Sequence, residues 1–330
     1  MISRFFSLFF LSFFVFSLGQ KTDLEKITRR NAEAIIGFLA SDAVEGREAG
    51  SKGGTVAAEY IISKLKESGI QPLEKFYLQP FEAVQRVSGK NLRWHSTADS
   101  VSAVKTEKLY RSLQMNNILS VIPGKLTDEF VIVGAHYDHL GNDENIADDG
   151  IFNGADDNAS GVSAVLQIAK TISESKEKPF RTIIFAFWDG EEKGLLGSKY
   201  FVNHFPQIKN VKSYLNFDMI GRNNKEDEPE HVVFFYTAKN KDFEQWLRSD
   251  IKKFSLNLKP DYRAWENPVG GSDNGSFAQA GIPILWYHTD GHPDYHQPSD
   301  TPEKLNWEKL INITKAAYLN VLKMANQKNY

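Results

Sequence analysis

Carboxylates and imidazoles gather in five short stretches of this chain. They are His136, Asp138 and His139; Asp156 and Asp157; Asp189, Glu191 and Glu192; Asp218; and His288, His292, Asp294 and His296. Imidazole nitrogen and carboxylate oxygen, with no thiolate, are the donors that suit zinc, cobalt or manganese. There is no cysteine, so disulfides, thiolate metal sites and a cysteine nucleophile are excluded. An odd carboxylate can bridge two ions, which then share a water whose pKa falls toward ~7. Such a water needs a base, and a carboxylate next to a ligand carboxylate, as in the Glu191–Glu192 pair, is well placed to be one.

Elements must bring these residues together, and the sequence shows which. Phe130 to Gly134, Thr182 to Phe187, Tyr214 to Phe217, Val232 to Tyr236 and Ile282 to Trp286 are apolar runs rich in β-branched and aromatic residues. They read as strands buried on both faces. Four of the five lead within a few residues into a cluster: the first into His136, the second into Glu191 and Glu192, the third into Asp218, the fifth into the His288–His296 group. Open α/β sheets bind ligands beyond the carboxyl ends of their strands. His136, Glu192, Asp218 and His296 are thereby expected at one sheet edge. Singly, a strand-end His or Asp is more often a turn or cap residue. Asp157-Asn158 would cap the helix that follows, and Glu191-Glu192 would suit a helix start. Jointly, those bland readings require several independent coincidences.

Helical stripes separate several of the strands. Val162, Val165, Leu166, Ala169 and Ile172 form one, and Leu310, Ile313, Ala317, Val321 and Met324 another. Two amphipathic helices are expected earlier, over about Asp23–Leu39 and about Gly54–Ser68, the latter with Gly69 just past its end. Lys75 to Gly124 reads as short strands, an edge hairpin and loop. The fold class expected is α/β, with a mixed, mostly parallel central sheet covered by helices on both faces.

The motifs GAHYDHLG (134–141), NGADDNASG (153–161), FWDGEEKGLLGS (187–198), NFDMIG (216–221), GGSDNGSF (270–277) and YHQPSDT (295–301) occur in this order. Together they resemble the co-catalytic two-zinc exopeptidases, which include secreted bacterial aminopeptidases and glutamate carboxypeptidase enzymes. LASDAVEGREAGSKGG (39–54) resembles that family's N-terminal segment. The resemblance implies two Zn²⁺, with Co²⁺ or Mn²⁺ as substitutes. It assigns His136, Asp157 and Asp218 to one ion, and Asp157, Glu192 and His296 to the other. It takes Asp157 rather than Asp156 as the bridge, followed by a cis peptide. Asp138 would orient His136, Glu191 would be the general base acting on the metal-bridging water, and Tyr295 would stabilise the oxyanion. Ser272 and Asp273 would lie beside the substrate pocket. His139 and His292 are expected at its entrance, and His288 in a structural role. The implied activity is exopeptidase action on a peptide substrate, foremost as an aminopeptidase. The alternatives are a glutaminyl cyclase with one zinc, a non-catalytic binding module on the same fold, and hydrolysis of a non-peptide amide.

The 330-residue chain is 41% hydrophobic, with a formal net charge of −3 and both signs interspersed. That balance gives no electrostatic footprint for nucleic acid and no polybasic membrane patch. At the N-terminus, Arg4 precedes the apolar run Phe5–Leu18, and Ser17-Leu18-Gly19 supplies small residues at the positions cleavage requires. This reads as a secretory signal peptide over residues 1–19, cleaved after Gly19. The run of about 14 residues is short of the ~20 that span a bilayer, so no stable membrane insertion is expected after cleavage. The expected product is a secreted or periplasmic protein with one catalytic domain over 20–330. Its oligomeric state is left open by the sequence.

Overall fold

The computed structural model describes residues 22–89, 92–175, 177–266 and 270–330. The signal-peptide expectation for residues 1–19 lies outside them. Among the described residues, no helix is long and apolar enough to cross a membrane.

Among the described residues ten strands form one sheet: β1 (Gln71–Pro72), β2 (Leu78–Arg86), β3 (Trp94–His95), β4 (Tyr110–Ile122), β5 (Leu126–His136), β6 (Arg181–Trp188), β7 (Val211–Phe217), β8 (His231–Thr237), β9 (Lys259–Trp265) and β10 (Ile284–His288). The order is β3-β2-β4-β6-β5-β7-β10-β8-β9, and β1 pairs with β4. β6, β5, β7 and β10 run parallel at the centre. Antiparallel pairs lie to either side, β4 with β6 and β8 with β10. The four parallel strands are those whose sequences lead into ligand clusters, so four carboxyl ends deliver them to one edge.

The period of two along these strands divides the core. Val131, Val133 and Ala135 of β5, with Ile183, Phe185 and Phe187 of β6, face one layer. Phe130 and Ile132, with Ile184, Ala186 and Trp188, face the other. The first layer is covered by α1 (Arg29–Leu39), α2 (Lys52–Glu67), α4 (Gly161–Ser173), α6 (Asp242–Phe254) and α8 (Trp307–Asn326), the second by α5 (Leu196–His204) and α7 (Asn274–Gln279). A further helix, α3 (Ala98–Lys105), packs on β2. This is the mixed α/β sandwich expected.

The helices show where the sequence was legible. α4 and α8 bury every residue of their expected stripes. Gly69 has φ 68°, and Ile70 N–H bonds back to Leu65 O at 3.0 Å, closing α2. The first helix differs from expectation. Residues 22–24 make a helical turn, and the regular helix begins at Arg29, where Thr28 Oγ1 accepts from Asn31 N–H at 3.2 Å. Between Lys75 and Gly124 the short strands are in fact a nine-residue β2 paired with a 13-residue β4. The second half of β4 is one of the expected short strands, whereas its first half is largely exposed and carries no apolar run. α3 falls within the expected loop; its buried residue is Val104, so it has no stripe to read.

Candidate metal centre

His136 ends β5 with its side chain buried beneath the sheet edge. Its Nε2 lies 3.3 Å from Asp157 Oδ1 and 3.7 Å from Asp218 Oδ1. On the far side of Asp157, His296 Nε2 lies 3.2 Å from Asp157 Oδ2 and 3.2 Å from Glu192 Oε2. One carboxylate thus offers one oxygen to each of two imidazoles. Donor atoms of His136, Asp157 and Asp218 lie within 4.8 Å of one another, as do those of His139, Asp157 and Glu192. All five residues expected as ligands therefore converge. Three carboxylates at such spacing demand positive charge, and neutral imidazole with carboxylate oxygen is a zinc donor set. His296 Nε2 is buried without a hydrogen-bond partner, as a nitrogen directed at an ion would be. The residues present fit zinc: His136 and Asp218 on one side of Asp157, and His296 and Glu192 on the other, supply the imidazole and carboxylate donors such an ion takes.

Backbone devices hold Asp157 in this position. The Asp157–Asn158 peptide is cis, as the resemblance implies. Asp300 Oδ2 accepts from Asp156 N–H and Asp157 N–H, each at 3.0 Å. Asn158 Nδ2 donates to Phe217 O at 2.9 Å, tying the segment to β7. Arg47 is fully buried and donates to the carbonyls of Leu39, Tyr137, Asn153, Gly154 and Asp157. Burial lowers the Arg47 pKa to about 10, opposed by the charges of Asp157, Asp300, Asp138 and Glu192. Asp156 serves the fold: its Oδ1 accepts from Gly221 N–H at 2.6 Å.

Asp138 sits where orientation of its neighbours is possible. His136 Nδ1 is 3.2 Å from Asp138 O and 3.8 Å from its Oδ1. The Asp138 carboxylate accepts from Glu191 N–H at 3.0 Å and Glu192 N–H at 3.4 Å, so it also sets the turn that carries both glutamates. Electrostatics separate those glutamates. Burial first, then the charges of Asp218, Asp273 and Glu192, push the Glu191 carboxyl well up, against the pull of His136. Glu192 is held below its ordinary value by His139 and His296, although burial and Asp157 act the other way. Burial would raise Asp157, yet the imidazoles of His136, His296 and His139 close around it hold it well below the carboxylate range.

A cavity of about 280 Å³ opens onto the cluster, with Glu191 in its wall beside His136, Asp157, Glu192 and Asp218. Met219, Trp286, His288, Tyr295, Gly271 and Gly291 complete the lining. Tyr295 is 44% exposed, and its ring stacks on His296 with centroids 3.8 Å apart. Burial and the nearby carboxylates raise its phenol pKa, so it remains a hydrogen-bond donor. Gly271 lines the cavity, whereas Ser272 and Asp273 are buried behind it, Ser272 Oγ accepting from Asn216 Nδ2 at 2.9 Å.

The expected roles of three histidines are corrected. His139 and His292 are not at the entrance, because both side chains are fully enclosed. His139 lies against Glu192, and His292 Nε2 is 3.4 Å from Asp156 Oδ2. His288, expected to be structural, faces the cavity while its Nδ1 donates to Asp218 O at 2.7 Å. Arg47 and Asp300 were not singled out from the sequence, although both stand within matched motifs, GREAG and QPSDT.

Residues 117–321, more than half of the chain, match the model of peptidase family M28, and the chain belongs to that family. Similar curated proteins include leupeptin-inactivating enzyme 1 of Streptomyces exfoliatus, 31% identical over 51% of this chain and 34% of that protein. A probable leucine aminopeptidase of Arthroderma otae is 26% identical over 88% of this chain and 81% of its own length. A glutamate carboxypeptidase 2 homolog of Caenorhabditis elegans is 27% identical over 73% of this chain. The chain covers about a third of the length of the first of these and 36% of the third. Among solved structures, the zinc aminopeptidase BSAP of Bacillus subtilis superposes with a TM-score of 0.71 at 18% identity, over 92% of this chain and 97% of that one. The glutaminyl cyclase of Fimbriiglobus ruber does so with 0.66 at 15% identity, over 90% and 95%. At such identities these two likenesses concern the fold.

Proposed function

We propose that the protein is a zinc exopeptidase that acts as an aminopeptidase, with two ions flanking Asp157. The observation that carries this reading is Asp157 standing between His136 and Asp218 on one side and His296 and Glu192 on the other, open to a cavity whose wall contains Glu191. His136 and Asp218 would hold one ion, Glu192 and His296 the other. Bound there, zinc supplies Lewis acidity toward a carbonyl and toward water.

The chain's own residues do the rest. Glu191 accepts a proton from the attacking water and passes it to the leaving amine. The raised affinity of its carboxyl for a proton suits that holding step. Tyr295, a protonated phenol at the cavity mouth, donates to the oxygen on which charge develops. Asp138 fixes the orientation of His136 and of the Glu191–Glu192 turn at once. Met219 and Trp286 give the cavity apolar walls for an aliphatic or aromatic side chain. The signal sequence over residues 1–19 would direct the protein out of the cytoplasm.

A panel of free, N-blocked and C-blocked leucyl and alanyl dipeptides, with zinc restored, tests the reading. Cleavage is expected to be lost on blocking the amine and kept on blocking the carboxyl. Unchanged cleavage of N-blocked peptides contradicts aminopeptidase action. An N-terminal glutaminyl peptide in the same panel reports cyclisation, which would contradict hydrolysis as the primary reaction.

A further inference from the structure

His139 is placed with more care than an unused histidine needs. Its backbone N–H donates to Arg47 O at 3.1 Å, and the chain here forms a bridge to Glu48. The 3-10 segment Asp42–Arg47 therefore fixes the position from outside the sheet. Its side chain is 0% exposed. Gly154 makes room for the ring, since a Cβ there would lie 2.6 Å from His139 Cδ2. The ring of His296 stands edge-on to it, centroids 5.7 Å apart.

The polar contact of this ring is directed. His139 Nδ1 lies 2.7 Å from Glu192 Oε1. An ionised carboxylate has no proton to give, so Nδ1 carries the hydrogen and donates. The other oxygen, Oε2, lies 3.2 Å from His296 Nε2, on the side shared with Asp157. His139 Nδ1 is 3.9 Å from Asp157 Oδ2, farther than His296 Nε2 at 3.2 Å. The two imidazoles therefore divide the work: one faces the bridging carboxylate, the other engages the outer oxygen of Glu192.

We propose that His139 is a positioning residue for the second zinc, donating from Nδ1 to Glu192 Oε1 so that Oε2 is aimed at the ion. This rests on the two-zinc reading above. Glu192 cannot instead donate a proton to Nδ1 while its carboxylate holds a cation. A buried N–H donor restricts its rotation about the last side-chain bond and leaves one oxygen for the metal. Outer partners of this kind typically contribute ~10–100-fold to metal affinity.

The test is stepwise zinc binding measured by competition with a chromophoric chelator on the full-length wild type, His139→Leu and His139→Asn. Leu fills the space of the ring without a donor, and Asn sets an amide N–H near the place of Nδ1. His139→Leu is expected to weaken one of the two zinc steps ~10–100-fold and leave the other unchanged. His139→Asn is expected to restore most of that loss. Wild-type affinity for both ions in His139→Leu overturns the proposal. So does an Asn variant that has lost the second ion, because the imidazole would then be needed as a ligand itself; this arm decides the matter if the Leu variant does not fold. Fewer than two zinc ions in the wild type would instead overturn the two-zinc reading and the proposal together, so the two failures are distinct.

Discussion

Glu191 and Glu192 are adjacent in sequence, share one backbone tether through Asp138, and yet differ in what surrounds them. Glu192 has an imidazole on each oxygen, at 2.7 and 3.2 Å, whereas Glu191 stands in the cavity wall with its carboxyl pushed up by burial and like charge. Their separate roles follow from those environments. Glu191→Gln is expected to lower kcat by ~10²–10⁴ while keeping the zinc content of the wild type, as removal of a general base does. Zinc analysis beside steady-state kinetics checks it, and an active Glu191→Gln protein would refute the assignment. At this scale the sequence was informative wherever a ligand follows a strand. It could not separate Asp156 from Asp157, since both sit in one loop, and the choice came from the resemblance. His139 was misplaced for a related reason. Its burial depends on the 42–47 segment folding over the 139–141 loop, a contact between parts of the chain about 95 residues apart that no local pattern records.

The elements that frame the site are strand ends and the turns that follow them. β5, β6, β7 and β10 were legible because each is buried on both faces, which writes a continuous apolar run into the sequence. α3 and the exposed half of β4 bury too little to leave one. The turn before α4 illustrates how tightly the frame is drawn. Gly154 has φ 58°, and a Cβ on it would lie 2.2 Å from Asp157 O, 2.6 Å from the His139 ring and 2.8 Å from the Arg47 guanidinium. Gly154→Ala is therefore expected to destabilise the fold by roughly 1–3 kcal/mol and to weaken zinc binding, because the strain falls on the bridging carboxylate's own segment. Urea unfolding with parallel zinc titration measures both. A variant with wild-type stability and zinc affinity would show that the turn is slacker than its contacts indicate.

For the molecule as a whole, the cost of organising this edge is spread through groups behind it. Lys309, at the start of α8, is buried and donates to Arg222 O at 3.1 Å. Burial lowers its pKa to about 8, opposed by Asp156, Glu226 and Glu230. Between that value and the unfolded ~10.4, the unfolded chain binds the extra proton. Stability due to this lysine therefore rises with pH across the window and is lost as pH falls toward 8. Compared with Lys309→Met, the wild type should gain on the order of 1–3 kcal/mol between pH 8 and 10. Parallel pH dependences in the two proteins, followed by thermal unfolding, would refute this. The central claim concerns the metals themselves, and zinc-edge anomalous diffraction from crystals of the zinc-loaded protein tests it most directly. Two peaks about 3.5–4 Å apart are expected on either side of Asp157, one against His136 and Asp218 and the other against Glu192 and His296. A single peak, or two peaks that do not share Asp157, would contradict it.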